Sequence, residues 1–178
     1  MKRFRHLFVV LAFCVAAPAW AIEDVPIDAF FGRYQGSGIA NSRDSLYFGI
    51  TMRDLDVTIG ETSDGFSVEW TTVLRQGGTP NNPEIRRRSS SISFRPTDSP
   101  RRFDAVERTD PYTETGLSWA RLAGQTLTVN VLTINEGGKY NLQSYVRTLG
   151  GNGMELEFLR IKDGEPTRTV TGRLIRQD

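Results

Sequence analysis

Ile85-Arg86-Arg87-Arg88-Ser89-Ser90-Ser91 is the segment whose residue types are best suited to chemistry. A guanidinium stays charged, forks onto carboxylates and phosphates, and stacks on rings. On a strand, Arg86, Arg88, Ser90, Ile92 and Phe94 share one face, and Arg87, Ser89, Ser91 and Ser93 share the other. Ile92 and Phe94 mark the first face as the inward one. Arg86 and Arg88 then stand at the mouth of the core, where they would grip an anionic head group such as a carboxylate or phosphate. The competing reading is a solvated strand end whose charges discourage edge pairing.

Two carboxylate pairs follow the same spacing. Asp54 and Asp56 flank Leu55, and Glu155 and Glu157 flank Leu156. Such pairs do acid–base work only where burial raises one pKa, and residues two apart on a strand more often share the wet face. Trp70, Trp119, Tyr34, Tyr47, Tyr112, Tyr140 and Tyr145 carry rings with a polar tip. They either pack in a core or line a cavity. Trp70, Trp119, Tyr112 and Tyr145 are the candidates for a ligand site beside Arg86 and Arg88.

Other chemistry is limited by the amino terminus. Lys2, Arg3 and Arg5 precede an apolar run from Leu7 to Ala17, and Ala19-Trp20-Ala21 offers a small-x-small site. This is the pattern of a secretory signal peptide cut after Ala21, which leaves residues 22–178 as one domain. The apolar run is about 11 residues, too short for a bilayer core that needs about 20. A lipid on Cys14 is the rival reading, but Phe13 precedes it where a small residue is needed. The chain has one Cys and one His, Cys14 and His6, and cleavage removes both. The mature domain is thus expected to lack a disulfide, Ser-His-Asp or Cys-His catalysis, and a zinc site of His or Cys, and no cofactor is implied. The 22 basic residues fall to 19 when Lys2, Arg3 and Arg5 leave with the signal, against 21 acidic ones. A net charge of −2 argues against a nucleic-acid partner. Only Lys139 and Lys162 among the remaining basic residues are lysine.

The elements that must position these side chains are strands. A short helical turn is expected over Pro26 to Phe31. Strands are expected near 33–39, 46–59, 65–75, 84–95, 101–107, 117–122, 125–135, 139–148, 153–162 and 167–176. Thr62-Ser63-Asp64-Gly65, Asn135-Glu136-Gly137-Gly138, Gly150-Gly151-Asn152-Gly153 and Lys162-Asp163-Gly164-Glu165 separate them, the last as a hairpin turn. Alternation sets Leu127, Val129 and Val131 against Thr126, Thr128 and Asn130. It sets Leu142, Ser144 and Val146 against Gln143, Tyr145 and Arg147, and Met154, Leu156 and Phe158 against Glu155 and Glu157. Consecutive hairpins make a meander, and a meander of eight to ten strands closes to remove its edges. The fold class is therefore all-β, an antiparallel up-and-down barrel. The loops 75–83 and 109–116 are long, and would form a portal if both lie at one end.

Asp28-Ala29-Phe30-Phe31-Gly32-Arg33-Tyr34-Gln35-Gly36 resembles the opening of the calycin superfamily, the lipocalins and fatty-acid-binding proteins. There a helical turn leads into a Gly-x-Trp on the first strand, with Tyr34 standing here for the Trp. The hairpins from Leu117 onward are similar to the later calycin strands. The resemblance implies that Gly32 and Tyr34 close the barrel with Arg173 or Arg176 of the last strand packed over the ring. It also implies a periplasmic or secreted binder of a small, mainly apolar or amphipathic molecule with a polar or anionic head. A second reading is an envelope interaction protein, an inhibitor or assembly factor, with a filled barrel. A third is a cavity-based isomerase or cyclase using carboxylates, Tyr or Arg.

Overall fold

The computed structural model describes residues 24–43, 49–75, 85–107 and 110–177. The expected signal segment with Cys14 and Ala21, Tyr47, and nearly all of the 75–83 loop lie outside the described residues. A 3-10 turn, Ile27–Phe30, leads into ten strands. These are β1 (Gly32–Ser42), β2 (Gly49–Thr62), β3 (Gly65–Arg75), β4 (Ile85–Pro96), β5 (Arg102–Ala105), β6 (Leu117–Ala123), β7 (Thr126–Ile134), β8 (Tyr140–Gly150), β9 (Gly153–Lys162) and β10 (Glu165–Gln177). Each pairs antiparallel with its sequence neighbour, and β10 pairs with β1, so the sheet is a closed barrel. Among the described residues no helix is long and apolar enough to cross a membrane.

The expected turn chemistry is visible at Asp163 and Gly164. Both have positive φ, 49° and 85°, as a two-residue hairpin turn of the primed type requires. Period-two patterning then sorts the side chains by face. Phe30, Tyr34, Val57, Ile59, Phe66, Val68, Phe94, Phe103, Leu127, Val129, Met154 and Leu174 fill the end of the barrel next to the 3-10 turn. Phe66 stacks on Phe94 at 5.3 Å between centroids and meets Phe103 edge-on at 5.0 Å. Backbone and side chain tie this end shut. Val25 donates to Gly124 O, and Asp24 accepts from the Gly124 N–H and pairs with Arg101.

Of the two arginines that the resemblance offered as the closing cation, Arg173 and Arg176, the structure puts Arg176 over the ring and not Arg173. In the β1–β10 register Arg176 lies opposite Tyr34, whereas Arg173 lies opposite Ser37 and Glu155. Alternation puts Arg173 on the outer wall. The Arg176 guanidinium sits 5.2 Å from the Tyr34 ring centroid and donates to Ala29 O and to the Tyr34 hydroxyl, both at 2.6 Å. The Tyr34 hydroxyl in turn donates to Phe30 O at 2.9 Å. Gly32 fits the closing role: a Cβ there would lie 3.6 Å from Arg176 Nε, and its φ is +146°.

The opposite end is built differently. β1, β3, β5, β7 and β9 all run toward it, so Arg75 at the end of β3 and the described residues 110–116 between β5 and β6 lie at one end. The wall is thinnest here. β5 pairs with β4 and with β6 over only three residues each, Phe103–Ala105 and Arg102–Asp104.

Candidate functional site

β8 has two faces, and the inward one is the more polar. Its position Arg147 pairs with Leu127 of β7 and Leu156 of β9, both in the core, so alternation sends Gln143, Tyr145 and Arg147 inward as well. Arg147 is wholly buried, and all three of its guanidinium nitrogens lack a hydrogen-bond partner. Two rings flank it. The Trp70 centroid is 5.6 Å and the Tyr145 centroid 5.5 Å from its Cζ. Such contacts attract a cation but satisfy no N–H in the plane of the guanidinium. Burial pulls the Arg147 pKa down to about 10, with a small opposing pull from Tyr145. The group remains cationic at neutral pH and is starved of water and counter-charge.

Beside it is a cavity of about 200 Å³. Its apolar lining is Leu55, Val57, Leu156 and Val170, with an aromatic run formed by Trp70, Tyr145 and Phe158. Trp70 and Tyr145 are 4.9 Å apart and Tyr145 and Phe158 4.8 Å apart. The Tyr145 hydroxyl donates to Gln143 Oε1 at 3.1 Å. Burial raises the Tyr145 pKa, partly offset by Arg147, so the phenol stays neutral and able to donate.

Toward the open end the same cavity meets Arg53, Arg88, Arg160 and Arg168. With Arg86 these line a funnel of about 300 Å³ whose other walls are Thr72 and Leu74. Arg160 and Arg168 are cross-strand neighbours, and Arg168 Nε donates to Ser42 Oγ at 2.7 Å. Arg53 Nε is enclosed and unpartnered. Burial lowers the Arg53 pKa first, and Arg168, Arg88 and Arg160 lower it further. Like charges held this close repel unless an anion sits among them.

The cavity also opens sideways. Above the short β5 pairings, a recess of about 670 Å³ lies between Ser90–Ser93 of β4 and Ser118, Val131, Gln143 and Tyr145. It shares Trp70, Ser90, Gln143 and Tyr145 with the Arg147 cavity.

Four of the six residues expected at a ligand site therefore converge. Trp70, Tyr145 and Arg88 line the cavity, and Arg86 lines its funnel. Trp119 and Tyr112 do not. On β6, Ser118, Ala120 and Leu122 are buried, so alternation turns Trp119 to the outer wall, where it lies beside Arg102, Asp104 and Leu132. Tyr112 sits on the β5–β6 connection and is 69% exposed. The carboxylate pairs Asp54/Asp56 and Glu155/Glu157 alternate with buried Leu55 and Leu156, as expected of outer-wall residues. Sequence reasoning missed Arg147, Arg53, Arg160 and Arg168. The signal for Arg53, Arg160 and Arg168 was the strand register, since each continues the inward face of a strand whose core members are apolar; Arg147 shares its face with Gln143 and Tyr145 and shows only through its pairing with Leu127 and Leu156.

These features define a closed ten-stranded antiparallel barrel with an arginine-lined internal cavity. Among solved structures, the chain is similar to a protein of unknown function of the DUF3598 family from Nostoc punctiforme, with a TM-score of 0.59 and 11% identity. The match covers 92% of this chain and 53% of that one, so the chain spans about half the length of the structure it matches. At that identity the likeness shows the fold alone. No protein-family model matches the sequence, and no curated protein matches it.

Proposed function

We propose that the protein is an exported, non-catalytic, calycin-like carrier that holds a small amphipathic molecule inside its barrel through an acidic group on the ligand. The observation that carries this reading is Arg147, a wholly buried cation with no hydrogen-bond partner on any guanidinium nitrogen, at the wall of a cavity. A buried charge without partners costs several kcal/mol, so a protein keeps one where something else supplies the anion. The aromatic run Trp70–Tyr145–Phe158 supplies the apolar walls such a ligand needs. The amino-terminal pattern and the absence of Cys and His beyond it fit export of a binding protein rather than a thiol or imidazole enzyme.

One observation favours an interaction role instead. Ile39, Ile50 and Met52 are 56%, 71% and 61% exposed on neighbouring outer positions of β1 and β2, Ile39 directly opposite Met52. Native mass spectrometry of protein purified from its own host separates the two. A bound anionic amphiphile of low mass is expected, along with a polypeptide mass starting at Ile22. A protein of bare mass, associated only with a second polypeptide, would overturn the carrier reading.

A further inference from the structure

The arginines inside the barrel form two centres rather than one. Arg147 lies on the row of Leu127 and Leu156, deep in the wall. Arg160 lies four residues further along β9 from Leu156, about 13 Å toward the open end at about 3.3 Å per residue. Arg53, Arg86, Arg88 and Arg168 surround the same funnel as Arg160. Among the described residues no carboxylate lines that funnel. Arg53, Arg88, Arg160 and Arg168 all reach the main cavity as well, so a single ligand can touch both centres without leaving it. Tyr145 and Phe158, between the two, offer ring faces and one hydroxyl.

Charge decides what fits. One carboxylate neutralises one guanidinium, and a bidentate contact with Arg147 uses up its acceptor oxygens. It would leave Arg53 Nε enclosed and unpartnered, with Arg88 beside it in the same funnel. A second anionic group seated between Arg53 and Arg88 would supply the missing partner.

Resting on the reading of the cavity as a ligand site, we infer that the ligand carries two separated anionic groups, one seated on Arg147 and the other among the funnel arginines, with an apolar chain against Trp70, Tyr145 and Phe158 between them. The barrel is then a receptor for a two-headed acid, such as a long-chain dicarboxylate or a phosphorylated fatty acid derivative ionised at both ends. A fatty acid with one head would use only half of the site.

Calorimetric titration with decanoate and decanedioate tests this, because the two probes differ only in the second carboxylate. Wild-type protein is expected to bind decanedioate at least tenfold more tightly than decanoate. Arg88→Gln, and the double variant Arg53→Gln/Arg88→Gln, are expected to weaken decanedioate about tenfold more than decanoate. Arg147→Met is expected to weaken both. Equal affinity of the wild type for the two probes, or a preference for the diacid that survives both funnel variants, overturns the two-headed ligand and leaves a one-headed carrier standing. Failure of both probes to bind the wild type overturns the carrier reading and this inference with it.

Discussion

Arg147 tests the site at the scale of one residue. A guanidinium that burial holds at a pKa of about 10, well below its ordinary value, is destabilised as a cation by about 3 kcal/mol. The sign follows from which form the fold disfavours. The folded pKa is lowered, so the penalty is present in full at pH values below about 10 and fades as pH rises from there toward the ordinary guanidinium value. At neutral pH the empty protein bears all of it. Arg147→Met keeps the volume and removes the charge, and is expected to stabilise the ligand-free protein by about 1–3 kcal/mol, read from urea unfolding at pH 7. The same variant is expected to lose affinity for acidic ligands. A variant less stable than wild type would mean that Arg147 is a satisfied structural cation. The residue was hidden in the sequence for a plain reason. Its own strand offers Leu142 and Val146 on the opposite face, and only pairing with Leu127 and Leu156 shows which face is inside. Arg86 and Arg88 were legible because Ile92 and Phe94 extend their face of the same strand.

Strands were the legible elements, since turns and period-two patterning are local. All ten fall close to their expected positions, and the 3-10 turn falls within the expected helical stretch. What a pattern of strands cannot carry is how closely neighbouring backbones approach, and Gly36 shows why that matters. A Cβ on Gly36 would lie 2.0 Å from Arg173 O and 2.9 Å from Leu174 Cα, both backbone atoms of β10. Gly38 and Gly172 continue the bare seam, and a Cβ on either would meet Leu55 Cδ1 at 2.9 Å. The side chain of Leu55 therefore packs over two glycines at the wall of the cavity, and the seam lets β1 and β10 coil tightly enough to close the barrel. Gly36→Ala forces backbone to move and is expected to cost at least about 1–3 kcal/mol. Thermal unfolding followed by circular dichroism reads this directly. A melting temperature unchanged from wild type would show that the seam is looser than it is drawn.

Over the whole molecule, near-neutral composition conceals a strong sorting of charge. The acidic side chains of β3 and β9 that alternate with core residues, Glu69, Glu155 and Glu157, and Asp54 of β2 belong to the outer wall, while Asp56 borders both that wall and the cavity. Arg53, Arg88, Arg147, Arg160 and Arg168 belong to the cavity. Net charge could not reveal this, because it sums over both faces. The sorting also runs along the axis: an aromatic plug at one end, a lone desolvated cation midway, and a wet arginine funnel at the other end. Salt separates these levels. Mobile ions screen the funnel over about 10 Å at 0.1 M and about 3 Å at 1 M, while a wholly buried group is screened far less. Raising sodium chloride from about 0.05 to 0.5 M is therefore expected to weaken decanedioate about tenfold and decanoate by no more than about twofold, with Arg88→Gln flattening the diacid's salt dependence. The slope of affinity against salt, measured by titration calorimetry, reports where each carboxylate sits. A steep slope for decanoate would place its single head in the funnel and leave Arg147 without an anion, so the tie between the buried cation and the ligand would be broken.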